Sequence, residues 1–166
     1  IEKADELGDK LSALVKEEQR LLAVRRSQEV QNAKSLADIE KLKVIRDDEA
    51  QSLQDRIKAN EEIGVIEKAR VTAAIALAEA ELSATRRGME LKGRSTELLD
   101  LEKDKLIELQ ELRSENAGIE NEQVVNNTAL RKEQFDKEVQ LIDAKRDLNA
   151  ILEEDAVKLA DAVVKA

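Results

Sequence analysis

Cysteine, proline, histidine, tryptophan and tyrosine are all missing from this 166-residue chain, and Phe135 is its only aromatic residue. Each absence removes a class of structure or chemistry. Without cysteine there is neither disulfide nor thiol nucleophile, and without cysteine and histidine there is no Cys/His zinc site and no imidazole acid–base catalyst. Without proline the strongest helix breaker is gone, which leaves Gly8, Gly64, Gly88, Gly93 and Gly118 as the only strong punctuation. The scarcity of aromatics withholds the bulky side chains that supply much of the burial in a globular core. No apolar run approaches the roughly 18 residues that span a bilayer. The longest aliphatic stretch, 71–80, is alanine-rich and interrupted by Glu79. No signal peptide is visible. A chain that starts at Ile1 rather than Met is expected to be a piece of a longer protein.

What is present is leucine, alanine, isoleucine and valine, diluted by 39% charged residues. That is the composition of coiled coils and long helices. The expected fold is all-α, with long, nearly continuous helices in a coiled coil or extended helical bundle and no sheet. The whole chain, 1–166, reads as one helical segment with joints near 47–52, 88–95 and 116–119. Polar Asp47-Asp48 precedes Ser52-Leu53-Gln54-Asp55, a helix start with Ser52 as N-cap and an acidic residue three positions on. Gly88 and Gly93 bracket a short segment ahead of Ser95, and Asn116-Ala117-Gly118 is the third weak point. Helices are therefore expected over about 2–47, 52–87, 95–116 and 119–164. A single helix of this length would reach about 250 Å.

Apolar residues recur at intervals of eleven. Leu130, Leu141, Leu152 and Val163 form one row, and Leu11, Leu22, Ala33 and Val44 another. Eleven residues in three turns favour a straight or slightly right-handed stripe. Heptad-like spacing is mixed in, as at Leu7, Leu14 and Leu21. One helix cannot cover its own stripe, so the Leu130–Leu141–Leu152–Val163 row is the expected seam of a homo-oligomer, with three parallel chains the first expectation. Phe135 is read as a packed stripe residue.

The formal charge is −9, from 37 acidic and 28 basic residues. An acidic chain lacking a basic block is a poor ligand for DNA or anionic membranes, so no specific nucleic acid is expected. Arg25-Arg26 and Arg86-Arg87 are too short to change this and read as solvated faces. The carboxylate clusters Asp47-Asp48-Glu49, Glu61-Glu62 and Glu153-Glu154-Asp155 also read as solvated, because neighbours on a helix point about 100° apart and do not converge on one metal or substrate. Gly88 to Gly93 lacks the ending of a phosphate-binding loop. No catalytic, cofactor or metal residue is proposed, and an enzyme is not expected.

The run Ile45-Arg46-Asp47-Asp48-Glu49, then Leu53, Asp55-Arg56-Ile57, Ala59-Asn60-Glu61-Glu62 and Gly64, resembles a pattern in tape measure proteins of tailed bacteriophages. So does the downstream Ala76-Leu77-Ala78-Glu79-Ala80-Glu81-Leu82, which leads into a glycine-containing break. The likeness covers residues 36 to 130. It implies a virion structural protein that lies as an extended helical rod in the lumen of a tail tube and sets its length. Tail-tube and tail-tip or baseplate proteins would be its partners. The membrane-active stretches and peptidoglycan-cleaving modules of some such proteins are not found here. The alternative is a coiled-coil scaffold or stalk of a membrane-associated stomatin/flotillin-like protein or a cytoskeletal protein in the cytoplasm.

Overall fold

The computed structural model describes residues 2–166, and Ile1 lies outside the described residues. Three helices account for nearly all of it: α1 (Glu2–Asp47), α2 (Leu53–Lys92) and α3 (Thr96–Lys165). Among the described residues there is no strand, and none of these helices is long and apolar enough to cross a membrane. The chain divides into two units, 1–125 and 126–166.

In the first unit, the joint between α1 and α2 is a tight polar turn. Asp48 holds it: its carboxylate accepts from the Ala50 amide at 2.9 Å, and its carbonyl accepts from the Gln51 amide at 3.0 Å. Ser52 then caps α2 by accepting from the Asp55 amide at 3.1 Å, while its hydroxyl donates to the Asp55 carboxylate at 2.7 Å. Arg56 reaches back to donate to the Arg46 carbonyl at 2.8 Å, satisfying one of the carbonyls left open at the end of α1.

The second joint lies at 93–95. Gly93 has φ +91, a region that glycine enters without a Cβ penalty, and its amide donates to the Met89 carbonyl. Ser95 opens α3 by accepting from the Leu98 amide at 3.2 Å. Gly88 does not end α2. It is buried with Leu14 and Leu98 close above it, where the missing side chain makes room for both neighbours. Nor is there a break at 116–119, because α3 runs unbroken through Gly118. A single solvent-facing glycine weakens a helix by only about 1 kcal/mol relative to alanine, which the packed residues on either side offset.

Both joints reverse the chain. Leu14 meets Gly88 and Gln28 meets Ala73, so α1 and α2 are antiparallel. Gly64 meets Gln123 and Arg86 meets Glu102, so α2 and the 96–125 part of α3 are antiparallel too. The result is a three-helix bundle closed within one chain. The helix α2 carries most of its buried residues, and Ala59, Ala78, Ala84 and Gly88 keep it slim enough to pack against both neighbours. Leu14, Leu21, Leu77 and Ala84 form one core cluster, and Ala78, Leu82 and Leu109 another.

The inner rows follow heptads. On α1, positions 21, 25, 28, 32, 35, 39, 42 and 46 alternate steps of four and three, and all are buried or half-buried. On α3 the same holds from 98 through 102, 105, 109, 112, 116, 119 and 123. The eleven-residue row of α1 is not its buried face: Leu22 and Val44 are 49% and 70% exposed, and Ala33 is exposed as well. Steps of four and three keep one narrow face toward neighbours that run alongside, and here those neighbours belong to the same chain.

The second unit, 126–166, is the remainder of α3, a helix of about 60 Å. Leu130 is buried, and beyond Glu133 every side chain is exposed.

Candidate functional site

Two features stand out as places where this chain could act: a polar layer through the bundle and an uncovered aliphatic stripe on 126–166.

The polar layer joins all three helices. From α1, Arg25 grips Glu81 of α2 with two hydrogen bonds, Nε to Oε1 at 2.8 Å and Nη2 to Oε2 at 2.6 Å. The same Nη2 reaches Glu108 of α3 at 3.1 Å. Lys105 of α3 bridges both carboxylates, pairing with Glu81 and donating to Glu108 at 2.7 Å. Two cations and two carboxylates therefore form a closed, neutral ring. Burial pushes Glu81 up, but hydrogen bonds from Arg25 and Lys105 outweigh it and hold the carboxyl below the usual glutamate range. Glu108 is lowered by the same balance, with Lys105 contributing more than Arg25. The Arg25 guanidinium is raised, chiefly by its bonds to Glu81. A carboxylate engaged by two cations is a poor proton acceptor at neutral pH, so the ring fixes register instead of moving protons.

Two further polar contacts lie nearer the α1–α2 turn. Asn60, fully buried on α2, donates through Nδ2 to Gln123 of α3 at 3.3 Å. Arg70 pairs with Glu115. Close to these, Glu67 is raised above the usual range by burial and then by the like charge of Glu122, with Lys43, Arg70 and Arg46 opposing. Among the described residues no group of carboxylates is arranged to hold a metal ion.

The stripe on the second unit contains the row expected as a seam. Leu130 is 6% exposed, whereas Leu141, Leu152 and Val163 are 57–69% exposed. The four share one helix face but not one environment. Leu148 and Leu159, equally exposed, fall between them at steps of seven and four. Phe135, expected as a packed stripe residue, is 64% exposed and stands about 120° from Leu141 around the helix. Asn126 and Asn127 are half-buried.

Arg25, read from sequence as part of a solvated pair, is the α1 member of the ring, whereas Arg26 and Arg87 do face solvent. The heptad step from Leu21 to Arg25 to Gln28 was the available signal, since it places Arg25 on the row that begins with a buried leucine. Within single helices, Glu6–Lys10 closes at 2.8 Å and Glu133–Lys137 at 3.1 Å. Comparison with protein-family models, curated proteins and solved structures returns no match.

Proposed function

We propose that this chain is a structural segment that acts through helix association and performs no catalysis. The observation that carries this reading is the pairing of a self-contained bundle with a 40-residue helix whose leucine stripe is open to solvent. A stripe of that length costs solubility unless something covers it, and the side chains along it offer packing and register but no chemistry.

Within this class, the resemblance over 36–130 supports a tape measure segment in a phage tail tube, built as a homo-oligomer and bounded by tail-tube and tail-tip proteins. For 126–165 a ruler is physically simple, because each residue adds about 1.5 Å along a helix. The second reading, a scaffold or stalk, is favoured by the reversals at 47–53 and 92–96. Three helices lying side by side share one axial length, so in the folded bundle residue count no longer converts to distance.

In-frame deletions separate the two. Removing eleven residues, 141–151, keeps the stripe in phase. A ruler then shortens the tail by about 16 Å for each such block, which electron microscopy of particles carrying one and two deleted blocks would measure. Unchanged tails, or a chain encoded away from any tail assembly, would leave the scaffold reading. A turnover assay that found this segment necessary for catalysis would overturn the structural class as a whole.

A further inference from the structure

The stripe of the second unit bears two charges whose positions specify a partner. Leu141, Leu148, Leu152, Leu159 and Val163 follow steps of seven and four, the two core positions of an eleven-residue repeat. They keep within about 60° of one another around the helix. Two charged side chains, Lys145 and Asp155, fall beside this row, one on each flank. Three ion pairs form within this helix, Lys137 with Glu133, Arg146 with Asp143 and Lys158 with Glu154, and all lie off the leucine row. No ion pair is formed by Lys145 or Asp155 among the described residues.

The spacing is symmetric about position 150. Leu148 and Leu152 are two residues either side of it, Lys145 and Asp155 five, Ala144 and Ala156 six, and Leu141 and Leu159 nine. A copy laid antiparallel with its own position 150 opposite therefore sets leucine on leucine and alanine on alanine. It also sets each Lys145 on the other copy's Asp155, twice over. A parallel, in-register assembly does the reverse, stacking Lys145 on Lys145 and Asp155 on Asp155 beside the apolar seam, where like charges are destabilising. We propose that residues 141–159 form the seam of an antiparallel homodimer, with its twofold axis at Ala150 and Lys145 paired with Asp155 of the second copy. Charge complementarity thus redirects the earlier expectation of three parallel chains. The seam is about 27 Å long.

The proposal is independent of whether the segment is a ruler or a scaffold, and crosslinking tests it on the whole chain. No native cysteine exists to interfere. Antiparallel pairing puts Leu141 next to Leu159 of the other copy and about 27 Å from its own counterpart, far beyond disulfide reach. An oxidised mixture of Leu141→Cys and Leu159→Cys chains should give the heterodisulfide, and Leu141→Cys alone should give none. Homodisulfide from Leu141→Cys alone would overturn the antiparallel arrangement.

Sedimentation equilibrium supplies a readout that leaves the leucines intact. Lys145→Asp should weaken dimerisation by at least about tenfold, and Lys145→Asp with Asp155→Lys should restore it. A wild-type chain that stays monomeric at tens of micromolar, or a charge swap no better than the single reversal, would refute the proposal.

Discussion

Gly64 of α2 and Gln123 of α3 lie so close that a Cβ on Gly64 would stand 2.8 Å from the Gln123 side-chain carbon Cδ. That contact lies beside the buried Asn60–Gln123 hydrogen bond, so the glutamine cannot swing away without giving up its partner. The glycine is retained against helix propensity because two helices need the space.

The five glycines are therefore not equivalent. At Gly118 a Cβ meets nothing within 4 Å, and Gly118→Ala should stabilise the chain by about 1 kcal/mol through helix propensity alone. Gly64→Ala should not show this gain. Combining it with Gln123→Ala should recover part of it, so a double-mutant cycle by urea denaturation should show coupling between the two positions. Equal gains at 64 and 118 would contradict the close approach.

Ser52 carries the start of α2. Ser52→Ala removes the acceptor for the Asp55 amide and the partner of its carboxylate, and should cost about 1 kcal/mol. Ser52→Asp should retain most of the capping bond. Thermal unfolding of the three proteins provides the comparison.

The ring of Arg25, Glu81, Lys105 and Glu108 should behave as a unit. Glu81→Ala leaves two cations sharing the single carboxylate of Glu108 and should cost about 2 kcal/mol, less than a fully buried pair because Arg25 is part-exposed. Removing Lys105 as well should cost less than the sum of the single changes, since the second substitution removes the excess positive charge the first created. Strict additivity would mean the four side chains do not interact.

Acid should weaken the bundle through the same ring. Glu81 and Glu108 have folded pKa values below the ordinary one, so the folded state binds protons less readily than the unfolded chain. Their contribution is complete above the unfolded glutamate pKa of about 4.3 and is lost as pH falls below it through the depressed folded values. Glu67 has the opposite sign: its folded pKa is raised, so its ionisation costs stability once pH rises through that raised value. Glu67→Gln should therefore stabilise the protein at pH 7 and make little difference at pH 3. Unfolding free energies of the wild type, Glu81→Gln and Glu67→Gln across that range would show both trends.

The helical class, the N-cap at Ser52 and the break after Asp47 are local matters, written in composition, the absence of proline and a short polar motif. The inner rows were harder to read. Leu11, Leu22, Ala33 and Val44 are as regular as the heptad row through Leu21 and Ile39, but only the second is buried. Periodicity marks an apolar row without saying which of two such rows meets a neighbour. Arg25 was hidden for a related reason: an arginine beside another arginine looks solvated until Glu81 and Glu108 arrive from helices far along the chain.

By itself the sequence determined that nearly every residue would be helical, because backbone propensity and the lack of breakers act within a few residues of each position. It also determined the spacing of Leu141 through Val163, with Lys145 and Asp155 beside them, since that pattern is linear. Only the tertiary structure decided that residues 2–125 fold back into a bundle, that Gly93 turns the chain while Gly88 and Gly118 do not, and that Arg25, Glu81, Lys105 and Glu108 share one ring. Intrinsic propensity alone makes glycines in a helix interior about equally unfavourable. Whether the chain turns there depends on what the two flanking helices gain by packing together, and that gain is set by residues tens of positions apart.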